Sequence, residues 1–473
     1  MIESRDKLYI GGEWLAAVGR ETIAVINPAT EEILGHIPSG VAADVDLAVA
    51  AAGKALAAWA ETPLPQRVAF VEVIKAGLAA RQDEIATLIS QEVGTPIKLS
   101  QRIQAALPIA DIDSVLAAAS ELPWQESIGN STVYREPKGV VACITPWNYP
   151  LHQVVSKVSP ALLAGCTVIL KPSEVAPFSA FVLAEVIAAA GLPAGVFNLV
   201  TGYGPTVGEA LAAHPGVDMV SFTGSTTAGK RVAELAAPGV KRVALELGGK
   251  SASIVLNDAD LPKAIKGTLN SCFLNSGQTC NALTRLLVPA ERYDEIVQLV
   301  VDTARAFTPG DPLAADTRLG PLVSDQQRER VRTLIRSGID AGAELLIGGA
   351  AAPAGLAKGF YVEPTVFGRV EPHMQIAQAE IFGPVLCVMT YRDDNEAVRI
   401  ANDTVYGLAG AVWSNDPLRA NALARKLRVG QVDINGARFN FLAPFGGYKQ
   451  SGLGRELGRF GLEEFLEIKA IQN

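Results

Sequence analysis

The apolar positions of the first ninety residues outline a short strand region followed by helices. Val45, Val49, Ala52, Leu56 and Trp59 step by four and three, which lines up one helical face. Val68, Val71, Ile74 and Leu78 repeat the pattern after Pro65. From residue 140 the rhythm changes. Short β-branched runs begin near 140 (VVACIT), 167 (TVILKP), 196 (VFNLVTG), 219 (MVSFTGS) and 242 (RVALELGG), with steps of 27, 29, 23 and 23 residues. The stretches between them suit helices, Phe181–Ala190 and Thr226–Ala236 among them. Strand–helix alternation at this spacing predicts parallel βαβ units with both sheet faces covered.

A second set of runs follows Gly249: ASIVLN, RLLVP, ELLIGG, PVLCVMTY, LAGAVWS and QVDING. Two consecutive α/β units result, with a boundary near Gly248–Gly249. Two further strand-like segments are Ser131–Glu136, preceded by Gly129-Asn130, and the C-terminal Phe465–Ile471. An unpaired strand at either place invites pairing with another chain.

Composition narrows the class. At roughly 100–200 residues per domain, 473 residues predict two to four domains. Hydrophobic residues make up 49% and charged residues 19%, which excludes a disordered chain or a disulfide-dense miniature. A formal net charge of −8 carries no phosphate-neutralising footprint and argues against nucleic acid as a partner. The N-terminal MIESRDKLYIGGEW lacks the apolar core of a signal peptide. The charge-free run Val186–Gly208 is broken by five glycines and two prolines, and Gly139–Ser156 carries Pro146 and Pro150, so neither reads as a membrane span. A soluble, cytoplasmic protein without membrane association is expected. Five cysteines (143, 166, 272, 280, 387), odd in number and without a CxxC pair, read as reduced thiols. The four histidines are scattered, and no HExxH or Cys/His cluster points to a metal; no GxSxG elbow is present either.

Ligands of open α/β sheets sit beyond the carboxyl ends of the strands. There the runs lead into Pro146-Trp147-Asn148-Tyr149-Pro150, Lys171-Pro172-Ser173-Glu174, Thr223-Gly224-Ser225-Thr226-Thr227-Ala228-Gly229 and Glu246-Leu247-Gly248-Gly249-Lys250. The Gly224–Gly229 turn opens a helix, where free N–H groups and the helix dipole can hold a phosphate and Ser225 adds a hydroxyl. A purely structural turn fits equally well. GSTTAGK resembles a Walker A loop, but Arg231 stands where that motif needs Ser or Thr for magnesium. Lys171 and Glu174 are either an exposed ion pair or ribose contacts; Glu174 repels a 2′-phosphate and favours NAD over NADP.

Four of the cysteines lie among apolar neighbours, the usual setting of an inert thiol. Cys280 differs, in the polar segment Asn275-Ser276-Gly277-Gln278-Thr279-Cys280. A reactive thiol needs a lowered pKa or a base. Glu246 is a candidate base, its alternative being a salt bridge with a nearby Lys.

PWNYP, KPSE, FTGSTTAG, ELGGK, NSGQTC, EIFGPV and PFGGYKQSGLGRELG, in this order and spacing, closely resemble the NAD(P)-dependent aldehyde dehydrogenase superfamily, from about Tyr9 to Ile471. The resemblance implies a Rossmann-like α/β cofactor domain (1–118 and 138–248), a second α/β catalytic domain (249–448) and a small β oligomerisation element (119–137 and 460–473). It makes Cys280 the nucleophile, Glu246 the general base, and Asn148, with the Cys280 N–H, the oxyanion hole; Lys157 lies near the site, on a proton route. Trp147, Lys171, Ser173, Glu174, Gly224, Ser225, Gly229, Leu247, Glu380 and Phe382 become cofactor contacts for NAD, with NADP as the variant. Tyr149, Ser156, Thr279, Asn281, Phe439, Asn440, Phe441 and Phe445 become pocket positions.

The implied reaction oxidises an aldehyde to the acid through a cysteine thiohemiacetal and a thioester, in a homodimer or homotetramer. The pocket residues are compatible with aromatic or medium aliphatic aldehydes, and Arg438 is either a carboxylate-binding group or a surface arginine. Three rivals stand beside this reading, one of them a non-catalytic binding or structural relative, which would normally lack Cys280 or Glu246, both present here. A CoA-acylating dehydrogenase shares the thioester, and a thiol hydrolase needs a His partner for Cys280, none of which is near it in sequence.

Overall fold

The computed structural model describes residues 4–473. Its first sheet has eight strands in the order Gly452–Leu453, Arg242–Glu246, Met219–Thr223, Val140–Ile144, Thr167–Lys171, Phe197–Leu199, Lys7–Ile10 and Glu13–Ala16. The five central strands are parallel. Their starts reproduce the five β-branched runs, and the helices Phe178–Ala189 and Thr226–Ala236 fill two of the gaps. Ala42–Ala60 and Leu64–Ala80 form the early helices.

Alternate residues of each strand enter opposite cores. Val141, Cys143, Val168 and Leu170 face one, while Val140, Ala142, Ile144 and Ile169 face the other. Both faces are therefore dry, which explains the unbroken apolar runs. Truncating fully buried Leu170 to Ala costs about 2–5 kcal/mol.

The second sheet has seven strands: Glu344–Ile347, Thr365–Gly368, Val385–Tyr391, Arg285–Pro289, Ala252–Val255, Ala409–Trp413 and Gln431–Ile434. All but the antiparallel Glu344–Ile347 run parallel. Six of the seven coincide with the second set of runs. Thr365–Gly368 was not among them, because four residues between Pro364 and Arg369 leave no pattern to read.

Ser131–Pro137 and Leu466–Gln472 pair with each other, Ser131 opposite Gln472 and Pro137 opposite Leu466, and Gln125–Ile128 completes a three-stranded sheet. Neither strand is left unpaired. The open edges are instead the outer sides of Leu466–Gln472 and Gln125–Ile128. One helical run, Ile97–Glu121, is long and apolar enough by composition to cross a membrane, and half of its most apolar window is buried inside the protein. Ile112, Val115 and Ala119 of that run join the core of the first sheet.

Across the first sheet the parallel strands run fifth, fourth, first, second, third in chain order. The winding reverses between Val140–Ile144 and Met219–Thr223. Carboxyl-end loops diverge at such a reversal and leave a crevice.

Candidate active site

That crevice is a cavity of about 160 Å³ walled by Pro146, Trp147, Asn148, Thr223, Gly224, Ser225, Glu246, Leu247, Glu380 and Phe382, with Cys280 on its floor. The loops of three strand ends thus meet the thiol loop of the second sheet. A second cavity of about 400 Å³ lies on the far side of the thiol, lined by Tyr149, His152, Thr279, Asn281, Asp433, Phe439, Phe445, Glu456 and neighbours. Cys280 and Gln153 are the residues common to both. Cys280 lies where the two cavities meet, a place from which a carbon held in one can face the other.

The polar residues before Cys280 hold its loop. Asn275, Ser276 and Gly277 take positive φ in succession, 51°, 56° and 76°, a conformation that is strained for the two non-glycine residues. Hydrogen bonds fix it. Thr95 Oγ1 donates to Asn275 Oδ1 at 2.6 Å, Asn275 Nδ2 to the Asn148 carbonyl at 2.9 Å, and Ser276 Oγ to the Gly320 carbonyl at 2.9 Å. Gln278 Oε1 accepts from Val323 N at 2.9 Å, and Tyr149 OH meets Thr279 Oγ1 at 2.9 Å. Gly249 lets this loop close in, since a Cβ there would sit 2.6 Å from the Cys280 carbonyl.

The Asn148 side-chain amide donates to the Gln278 carbonyl at 3.0 Å, while the Asn148 main-chain carbonyl accepts from Gln104 Nε2 at 2.8 Å. One N–H of that amide remains for an oxygen in the cavity. Cys280 is partly exposed, and the other four cysteines are buried and free. Burial pushes the Cys280 thiol up to about 12, with Glu246 and Glu380 adding repulsion.

Glu246 is 5% exposed and neither of its carboxylate oxygens has a hydrogen-bond partner. Burial first, then the charge of Glu456, lifts its pKa well above the carboxylate range; Lys157 and Arg455 pull the other way. The salt-bridge alternative for Glu246 therefore does not hold. Lys157 is wholly buried and pairs with Glu456 instead.

Phe382, at φ 60°, stands edge-on to Trp147 with ring centres 5.4 Å apart. Glu380 accepts from the Gly249 N–H at 3.1 Å, and burial raises it to about 7. Ser225 caps the helix Thr226–Ala236, accepting from Ala228 N at 3.2 Å.

Several sequence-named residues lie elsewhere. Gly229 is buried in the helix, where a Cβ would sit 2.4 Å from Leu247 Cδ2. Its smallness serves helix-on-strand packing, and it does not line the cavity. Lys171 is buried and bonds Glu174 at 2.9 Å; neither they nor Ser173 line the cavity beside Cys280. Ser156 lies behind the pocket wall, 3.4 Å from Glu456 Oε2. Arg438 and Asn440 are exposed and Phe441 is half-buried, and none of the three lines the pocket.

Other lining residues carried no assigned role in the sequence reading, although Thr223 stood in the quoted FTGSTTAG segment. Thr223 has a buried, unpartnered hydroxyl in the first cavity, and Gln327 and Arg330 reach it from the helix Asp325–Asp340. Glu456 stood inside the quoted GRELG segment and could have been found there. His152, distant from Cys280 in sequence, lines the same cavity as the thiol.

A profile of the aldehyde dehydrogenase family matches residues 14–471. The chain belongs to that family. A 3-succinoylsemialdehyde-pyridine dehydrogenase from a Pseudomonas species is 51% identical over 471 residues, covering 98% of each chain. Aldehyde dehydrogenase C of Pseudomonas syringae, solved as a Cys-to-Ala variant with NAD+ and octanal, superposes with a TM-score of 0.98 at 48% identity, covering 99% of this chain and 97% of its own. An NAD-dependent aldehyde dehydrogenase from Sinorhizobium meliloti gives 0.96 at 40% identity, covering 99% and 95%. The enzyme is an NAD-dependent oxidoreductase that takes aldehydes to carboxylic acids through a cysteine. The crevice fits such a cofactor: it offers a capped helix N-terminus, the unpartnered Thr223 hydroxyl and two aromatic walls.

Proposed function

We propose that Cys280 is the nucleophile, Glu246 the base and Asn148 the oxyanion donor of this aldehyde dehydrogenase. Cys280 at the junction of two cavities carries the reading. Bound NAD+ supplies the hydride acceptor in the crevice. Sulfur adds to the aldehyde carbon as the thiol proton passes to the ionised Glu246 carboxylate, which hands it on to solvent, and the oxygen becomes an alkoxide held by the Asn148 amide and the Cys280 N–H. The C–H bond breaks with its electron pair, the carbonyl re-forms, and a thioester remains on Cys280. Glu246 takes a proton from water, which adds to the thioester; the C–S bond breaks and the acid leaves. A raised pKa makes Glu246 a stronger base once ionised. Its unpartnered carboxylate supports transfer of the acyl group to water rather than to CoA.

Lys157 and Ser156 hold Glu456 behind the base. Trp147, Phe382 and Glu380 position the nicotinamide end, Gly224, Ser225 and Leu247 the pyrophosphate side, and Lys171, Ser173 and Glu174 the adenosine ribose, which favours NAD over NADP. The domains are 1–118 with 138–248, 249–448, and 119–137 with 460–473. Exposed Ile128, Ile468 and Ile471 on the three-stranded sheet support a second copy docking there, as homodimer or homotetramer. Five free cysteines suit the cytoplasm.

The substrate is an aldehyde with an uncharged body, aromatic or medium aliphatic. Tyr149, Phe439 and Phe445 supply rings, Asp433 and Glu456 supply acidic groups, and among the described residues no Lys or Arg lines that cavity. Relatives acting on a pyridine semialdehyde and binding octanal agree in kind. An aldehyde panel followed by NADH formation, with and without CoA, tests the reading. Neutral aldehydes should be oxidised to free acid regardless of CoA; an acyl-CoA product, or preference for carboxylate-bearing aldehydes, overturns it.

A further inference from the structure

Gln104 and Thr95 line neither cavity, yet both are bonded to the loops that carry the reacting groups. Both side chains are buried. Gln104 closes a wide π turn, Ser100–Gln104, in which the Ala105 N–H reaches back five residues to the Ser100 carbonyl at 2.9 Å. Ser90 Oγ donates to Ser100 Oγ at 2.8 Å, and Ser100 Oγ donates in turn to the Thr95 carbonyl at 3.4 Å. The turn and Thr95 are thus one unit. From it Gln104 Nε2 donates to the Asn148 main-chain carbonyl at 2.8 Å and lies 3.4 Å from Thr95 Oγ1. Thr95 Oγ1 donates to Asn275 Oδ1 at 2.6 Å, and Asn275 Nδ2 returns to the same Asn148 carbonyl at 2.9 Å, which closes a ring. A carbonyl only accepts, so both amides must present nitrogen to it. Asn275 Oδ1 then faces Thr95, whose hydroxyl must donate. Every donor in the ring is fixed in this way, and none belongs to an ionisable group.

We infer that Gln104 and Thr95 are positioning residues for the oxyanion donor: they clamp the Asn148 backbone against the thiol loop, so that the free side-chain N–H of Asn148 is aimed at the oxygen of the reacting aldehyde. The inference rests on the proposed role of Asn148 and extends it. Asn148 is held at three points, its main-chain carbonyl by two amides and its side chain by the Gln278 carbonyl at 3.0 Å. That carbonyl joins the loop after strand Val140–Ile144 to the loop carrying Cys280, and Gln104 braces the joint from a third element. Thr95 acts one bond further back, by turning the Asn275 amide nitrogen onto the carbonyl. A donor stabilises a developing alkoxide only from hydrogen-bond distance, and a misplacement of about 1 Å costs about a hundredfold. Removing one brace of two should cost less, about tenfold.

The test is the rate constant of NADH formation in the first turnover, by rapid mixing with saturating NAD+ and either acetaldehyde or octanal. Gln104→Leu should lower it about tenfold for both aldehydes, while NAD+ affinity and the half-saturating aldehyde concentration stay within about twofold. Thr95→Val keeps the shape without the donor and should lower the rate about fivefold; Thr95→Ser keeps the donor and should stay within about 1.5-fold of wild type. The same changes are then made in Asn148→Ala. There neither Gln104→Leu nor Thr95→Val should lower the residual rate by more than about twofold, because no side-chain donor is left to aim. Equal fold-losses in both backgrounds, wild-type rates in both Gln104→Leu and Thr95→Val, or losses confined to half-saturation overturn the inference alone. Where Gln104→Leu does not fold, the Thr95 variants are judged by the same criteria. A wild-type rate in Asn148→Ala takes down the proposed role of Asn148 and this inference with it.

Discussion

The two cavities that meet at Cys280 are built in different ways. The cofactor side is made of strand ends: Asn148, Gly224 and Glu246 each follow or close a parallel strand of one sheet, and the winding reversal opens the space between them. The far side is assembled from pieces near 103–107, 149–153, 270–281, 433–445 and 456–457, drawn from several helices, one strand and the loops between them. Topology dictates the first cavity, while side-chain choice shapes the second. Changes on the cofactor side should therefore affect every aldehyde alike, and changes on the far side should discriminate among them.

The largest effect is expected at the junction. Cys280→Ser should lower NAD+ reduction by at least about ten thousandfold for every aldehyde while cofactor affinity, read by fluorescence quenching, stays nearly unchanged. Residual turnover within a hundredfold of wild type removes the sulfur from the mechanism. Asn148→Ala should cost about a hundred- to a thousandfold in kcat, uniformly across substrates. A loss confined to KM for large aldehydes would move Asn148 to the other cavity. Phe445→Ala should cut kcat/KM for octanal about tenfold or more but spare acetaldehyde, and a uniform loss would erase the contrast between the two sides. Smallest is Glu174→Ala, expected to shift the NAD-to-NADP preference by roughly threefold through loss of charge repulsion; an unmoved ratio would leave Glu174 as only the partner of Lys171.

The same contrast explains what could be read from the chain. Runs that are buried on both faces announce themselves, so the strands beginning at Val140, Thr167, Met219 and Arg242 stood out, and their loops could be named as a site. The helix Thr226–Ala236 was bounded by its own cap, Ser225. Pairings across the fold leave no local signal. Lys171 turning inward, Gly229 packing on Leu247 and Ser156 withdrawing behind Glu456 depend on neighbours far along the chain. His152 gave no sign either, because the cavity it lines exists only after both sheets have packed.

The central claim is a covalent one, and trapping the acyl group on Cys280 tests it most directly. Glu246→Gln mixed with NAD+ and octanal should release a burst of about one NADH per site and then slow, since the step that needs the base is disabled. Intact mass and peptide mapping of the quenched protein should find the octanoyl group on the peptide carrying Cys280. An unmodified protein after a full burst, or an acyl group on Cys143, Cys166, Cys272 or Cys387, would contradict the account.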